Sequence, residues 1–140
     1  MNTIDVTVSR VIRASAERLY DLWTDPASPG GPWFGVARLL IDVRVDGLFY
    51  FAVAHEGRTW AHYGRFVTLE RPRTIAYTWM SESTQGLEST VTITLAPRDG
   101  GTELTLVHAG VPDDAQGRQH AEGWTWMLSM LVDRFAKDPA

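Results

Sequence analysis

The sequence predicts an α+β domain in which one antiparallel sheet of six or seven strands packs against a long C-terminal helix. Three observations lead there. From Val36 to Ala109 apolar and polar residues alternate between short turn signals, the period-two pattern of half-buried strands. Each connection is hairpin-short, so sequential strands pair antiparallel. From Pro112 to Lys137 the period changes. At ~100° per residue, Gly117, Ala121, Trp124, Met127, Leu128, Leu131, Val132 and Phe135 fall on one helical stripe.

Thr3 to Arg13 reads as a strand with Ile4, Val6, Val8 and Ile12 on one parity. Arg10 shares that parity, so its stem should pack on apolar surface while the guanidinium reaches water or a carboxylate. Ser15 caps a short helix, Ala16 to Thr24, with Glu17 in its first turn and Leu19, Leu22 and Trp23 on its apolar side. Asp25-Pro26 ends that helix, and Pro29-Gly30-Gly31-Pro32 is a loop leading to an aromatic corner, Trp33-Phe34.

Strands are expected over Val36–Val45, Leu48–Ala54, Thr59–Leu69, Thr74–Met80, Glu88–Ala96 and Thr102–Ala109. Asp46-Gly47 has hairpin-turn chemistry, and Gly64 marks a bulge or strong bend. Asp113 caps the last helix, with Gln116 completing a capping box. Two glycines inside that helix, Gly117 and Gly123, each cost about 1 kcal/mol relative to alanine. They therefore mark close approach or a bend, and Gly117 is placed to widen a cavity mouth beside His120.

Parity then sorts the faces. Phe49, Phe51 and Val53 point inward, as do Trp60 and His62, Ile75, Tyr77 and Trp79, Val91, Ile93 and Leu95, and Leu104, Leu106 and His108. Trp126 lies opposite the helix's buried stripe. With Met130 it offers either a contact for another part of the chain or a homodimer surface.

The totals exclude several classes. At 140 residues the chain is expected to be one domain, 1–140. A net charge of −4 without a Lys/Arg run argues against a nucleic-acid surface. The absence of cysteine removes disulfides, thiolate metal sites and cysteine nucleophiles. No apolar run approaches the ~20 residues of a membrane span. The N-terminus lacks the basic start and apolar core of a signal peptide, so a cytoplasmic protein is expected. No His-x-His or His-Glu-x-x-His spacing is present, so neither a metal nor another cofactor is expected.

Taken in order, these pieces resemble the SRPBCC (START/pollen-allergen-like) superfamily, and within it the family named after the C-terminal domain of the Hsp90 ATPase activator. The resemblance covers nearly the full length. It is carried by Arg10 before Ile12-Arg13-Ala14, Trp33-Phe34-Gly35, Val45-Asp46-Gly47-Leu48-Phe49-Tyr50-Phe51, and Gly64 with Glu70-Arg71-Pro72-Arg73 leading into Tyr77-Thr78-Trp79. Gly101 to His108 and Gly123-Trp124 with Leu128 and Leu131 complete it. The resemblance implies a helix-grip fold: a strongly curved sheet wrapped around the C-terminal helix, with two short helices closing one end. It also implies an apolar cavity that in many relatives accepts a lipid, polyketide or other hydrophobic molecule. Lacking the activator's separate N-terminal domain, the chain is not expected to stimulate Hsp90 directly.

The candidate ligand-lining residues are Trp33, Phe34, Phe51, Trp60, His62, Tyr77, Trp79, His108, His120, Trp124 and Leu128. The aromatic ones either fill the core or, toward its open end, line a pocket for a hydrophobic or aromatic small molecule. His62, His108 and Tyr77 are the candidate acid/base groups if the cavity is that of a cyclase, dehydratase or hydrolase. No nucleophile–base–orienter series is legible. Asp42, Glu88 and Glu103 fall on the outer parity, and Glu56 and Glu82 fall in loops. A third reading is a protein-interaction module.

Overall fold

Alternation along Ser89–Arg98 shows how this sheet is made: Val91, Ile93 and Leu95 are buried while Thr90 and Thr94 face solvent. Seven such strands form one antiparallel sheet in the computed structural model, which describes residues 2–25, 33 and 36–137. They are β1 (Thr3–Ile12), β2 (Arg38–Ile41), β3 (Leu48–His55), β4 (Arg58–Glu70), β5 (Thr74–Ser81), β6 (Ser89–Arg98) and β7 (Gly101–Pro112). Their order is β1-β7-β6-β5-β4-β3-β2. From β2 to β7 this is a hairpin meander, and β1 closes it by pairing with β7.

Two helices complete the helix-grip arrangement, α1 (Ala16–Thr24) and α2 (Ala115–Lys137). Ser15 caps α1 by accepting the Arg18 N–H at 3.1 Å. Of the two short helices expected near the N-terminus, α1 is the one described. The loop Pro29 to Pro32 and the corner residue Phe34 lie outside the described residues. Gly117, Trp124, Met127, Leu128, Leu131 and Phe135 of α2 are buried. The helix contacts mainly β1 and β7.

Four local expectations are corrected. The strand expected over Val36–Val45 is only Arg38–Ile41. After it, residues 42–47 form a tight loop in which Asp42 N–H reaches Leu48 O, Asp46 N–H reaches Phe66 O and Asp46 takes a positive φ of 67°. The bulge expected at Gly64 lies at Val67, where the β4–β5 register shifts between Phe66 and Thr68. Gly64 serves close approach instead: a Cβ there would stand 2.0 Å from Thr78 O and 2.4 Å from the Phe49 ring. The cap of α2 is Asp114, whose carboxylate accepts the Gly117 N–H at 2.7 Å. Asp113 instead pairs with Arg118 at 2.8 Å. Finally, Gly117 widens nothing, since a Cβ there would lie 1.8 Å from Pro112 O.

Because the bulge comes after Phe66, the inward parity of β4 survives through the residues that matter for the site. Val53 stands opposite Trp60, and Phe51 opposite His62. The Phe51 and His62 rings stack with centroids 4.4 Å apart and planes 6° apart. Arg10 is half-buried, and its guanidinium donates to Ser9 O at 2.7 Å.

Candidate functional site: a cleft between the sheet and α2

The long helix presents two faces to the molecule. One stripe packs on the sheet. A second, Gln116, Gln119, His120, Gly123, Met127 and Met130, runs beside it at i, i+3, i+4, i+7 spacing. This second stripe forms one wall of a cleft of about 390 Å³. The opposite wall is Phe51, Val53 and His55 of β3, Trp60 and His62 of β4, and Trp79 of β5. Ser83, Trp124 and Trp126 complete the lining. Gly123 contributes space, because a Cβ at that position would meet nothing within 4 Å.

The polar groups around the cleft divide into satisfied and unsatisfied sets. His108 lies beneath it, fully buried. Its Nδ1 is 3.0 Å from Trp124 Nε1 and its Nε2 is 2.7 Å from Ser89 Oγ. An indole N–H can only donate, so Nδ1 accepts and the proton sits on Nε2. Ser89 passes its own hydroxyl proton to Trp79 O at 2.7 Å. Burial, and secondarily His120, push the His108 pKa down to about 3. This imidazole is neutral and fully engaged.

His120 packs edge-on against His108 with centroids 4.9 Å apart. Its Nδ1 lies 3.0 Å from Gly117 O, which assigns the proton to Nδ1 and leaves Nε2 as the acceptor. Its pKa is also lowered, chiefly by burial. His62 is held down to about 4, first by burial and then by His120, while nearby backbone of Trp60 and Phe51 partly offsets this. No hydrogen bond of good geometry reaches its Nδ1. Two indole nitrogens share that condition, Trp60 Nε1 and Trp79 Nε1. All three side chains line the cleft.

Of the candidates read from the sequence, Phe51, Trp60, His62, Trp79, His120 and Trp124 come together in the cleft. Trp33, Tyr77 and Leu128 do not; they are buried in the core. The Tyr77 hydroxyl accepts from Trp23 Nε1 at 3.3 Å, Trp33 Nε1 donates to Trp23 O at 2.8 Å, and burial raises the Tyr77 pKa. Phe34 lies outside the described residues. Val53, His55, Ser83, Gln116, Gln119, Gly123 and Met127 also line the cleft and were not anticipated there. Trp126 and Met130, read as an exposed contact, stand at the cleft, with Trp126 67% exposed. The three histidines converge. Among the described residues, however, no group of three His, Asp or Glu side chains is arranged to hold a metal ion.

The family model described as "Activator of Hsp90 ATPase homolog 1-like protein" matches residues 13–136. The chain belongs to that family. Among curated proteins it is similar to the uncharacterized protein C1711.08 of Schizosaccharomyces pombe, with 30% identity over 113 residues. That match covers 80% of this chain but 31% of the relative, so the chain spans under a third of its length. Among solved structures it resembles protein CV1439 from Chromobacterium violaceum, with a TM-score of 0.76, 28% identity and coverage of 93% and 96% of the two chains. Protein MLL2253 from Mesorhizobium loti superposes with a TM-score of 0.78 at 22% identity, covering 98% and 100%. CalU16 from Micromonospora echinospora does so at 0.69 and 23%, covering 93% and 76%. The latter two, at such identity, speak for the fold alone. No helix among the described residues is long and apolar enough to cross a membrane.

Proposed function

We propose that the protein binds a hydrophobic, aromatic small molecule in the cleft between the sheet and α2. The observation that carries this reading is a largely apolar cavity of about 390 Å³ lined by three side chains, Trp60, His62 and Trp79, that each keep a buried ring nitrogen without a hydrogen-bond partner. Ligand sites are typically clefts of ~300–1,000 Å³ with apolar walls and a few polar anchors. A buried polar group left unpaired costs about 1–3 kcal/mol, a penalty that a guest with matching polar atoms would offset.

The enzyme alternative, a cyclase, dehydratase or hydrolase using His62, His108 and Tyr77, draws less support. His108 and Tyr77 are already bonded to protein groups, and among the described residues no carboxylate lines the cleft. A second reading has its own observation. Trp126 is 67% exposed beside Met130, and aromatic residues are enriched at interfaces, which supports a homodimer or partner contact at the cleft mouth. Native mass spectrometry of protein made in a heterologous host tests both. A co-purifying hydrophobic guest at one per chain is expected. Repeated guest-free preparations that also fail to bind Nile red would sink the ligand reading, and a strictly monomeric mass would sink the homodimer.

A further inference from the structure

The outer face of the sheet, turned away from α2 and the cleft, has two halves of different composition. On β6, β7 and β1 the outward positions are largely hydroxyl-bearing, with Thr90, Thr92, Thr94, Thr105, Thr7 and Ser9. On β2 to β5 the same parity carries Leu40, Leu48, Tyr50, Tyr63 and Met80. Leu40 is 55% exposed, Leu48 68% and Tyr63 47%. Exposed apolar residues scattered singly are ordinary. These are not scattered.

Strand register joins them. Leu40 stands opposite Tyr50, Tyr50 opposite Tyr63, and Tyr63 opposite Met80, one row across four strands. The two tyrosine rings lie 5.3 Å apart. On one side of the row Ala52 pairs with Ala61, and on the other Leu48 pairs with Arg65. Four strands at ~4.8 Å spacing and six steps along β3 at ~3.4 Å make a face about 20 Å on a side. Its area is on the order of 400 Å² in projection, the size at which an apolar patch on a monomer is often functional.

The order of the row says what fits it. Read from either end, it is an apolar chain, two tyrosines and an apolar chain. A two-fold axis parallel to the strands, above the gap between β3 and β4, lays the row on itself. Leu40 then meets Met80 of the second copy, Tyr50 meets Tyr63, and the small pair Ala52 and Ala61 leaves room for the rings. Such reciprocity is the condition for an isologous interface. The rim carries both signs, Asp42 with Arg44 and Asp46 with Arg65, so two copies need not oppose like charges.

We propose that this outer face is a homodimer interface, on which a second copy of the chain packs sheet to sheet about that axis. Face and rim together reach the low end of specific interfaces, ~600 Å² per partner, so the dimer is a weak one. It lies across the sheet from Trp126 and leaves the cleft open.

Sedimentation equilibrium of the whole chain tests this, in ~0.15 M salt to screen the net charge. The wild type should pass from monomer to dimer with a Kd on the order of 10 μM. Leu40→Glu and Met80→Lys should each weaken association at least about tenfold, because the axis places each new charge twice against apolar surface. An equimolar mixture of the two variants should recover a dimer, since the axis brings the two substituted positions together with opposite charge. Trp126→Ser should leave association unchanged, which separates this interface from a contact at the cleft mouth. If Met80→Lys, at a half-buried position, fails to fold, the exposed Leu40→Glu against Trp126→Ser still decides. A wild type that stays monomeric up to about 500 μM overturns the proposal. So does a dimer that Trp126→Ser breaks and Leu40→Glu spares, or a mixture of folded variants that stays monomeric. None of these outcomes depends on whether the cleft holds a guest.

Discussion

Trp124 Nε1–H donates to His108 Nδ1 at 3.0 Å, joining α2 to β7. That bond fixes the tautomer and leads, through Ser89, to the backbone of Trp79. An inward histidine that resembles an acid/base group from its parity is therefore a structural fastener between helix and sheet.

A pH dependence follows from it. His108 and His62 are held to about 3 and about 4, below the ordinary 6.5. Between those values the unfolded chain binds more protons than the folded one, so stability rises with pH across that window. The contribution is complete above about pH 6.5 and is lost as pH falls toward 4 and then 3. Each unit of depression is worth about 1.4 kcal/mol, so the two together should remove on the order of a few kcal/mol by pH 4. Thermal melts from pH 8 to pH 4 should fall most steeply below pH 6.5, and His62→Gln should flatten the curve. A flat profile through that range contradicts the burial of two neutral imidazoles.

The two glycines of α2 should respond oppositely to alanine. At Gly117 the added methyl meets Pro112 O at 1.8 Å, backbone that cannot swing aside. Gly117→Ala should destabilise by about 1–3 kcal/mol, the usual range for overpacking. At Gly123 it meets nothing within 4 Å, and Gly123→Ala should stabilise by up to about 1 kcal/mol through helix propensity. Urea denaturation of both variants checks the signs.

Tyr77→Phe separates core from cleft. The change removes the acceptor of the Trp23 indole, both groups being buried, and an unsatisfied buried donor costs about 1–3 kcal/mol. The melting temperature should fall while ligand affinity stays unchanged. An affinity loss without a stability loss would instead return Tyr77 to the site.

The inward faces of the strands were legible because strict alternation allows one buried face, and the family pattern named the arrangement. Depth along the sheet was not. Tyr77 and Trp79 share parity on β5, yet one is bonded to Trp23 and the other borders the cleft. Only the register of β5 against its neighbours, and the placement of α1 and α2, separates them. The bulge shows the same limit. Gly64 signalled an irregularity, but the shift falls at Val67 because register is a property of two strands. Asp113 was expected to cap α2, and the backbone places the cap one residue further on, at Asp114. The cleft wall on α2 did carry a signal, a mixed stripe of glutamines, His120, Gly123 and methionines beside the apolar one. It became readable once the first stripe was seen to lie on β1 and β7.

The most direct test returns to Gly123. Its missing side chain opens the cleft without serving any contact, so Gly123→Leu should fill the cleft and spare the core. Nile red, a neutral multi-ring dye, should bind the wild-type protein saturably at one site. Gly123→Leu should weaken that binding at least about tenfold, since a filled pocket forfeits most stacking contact, at a melting temperature no lower than that of the wild type. Equal dye affinity in the two folded proteins would contradict the assignment of the cleft as the ligand site.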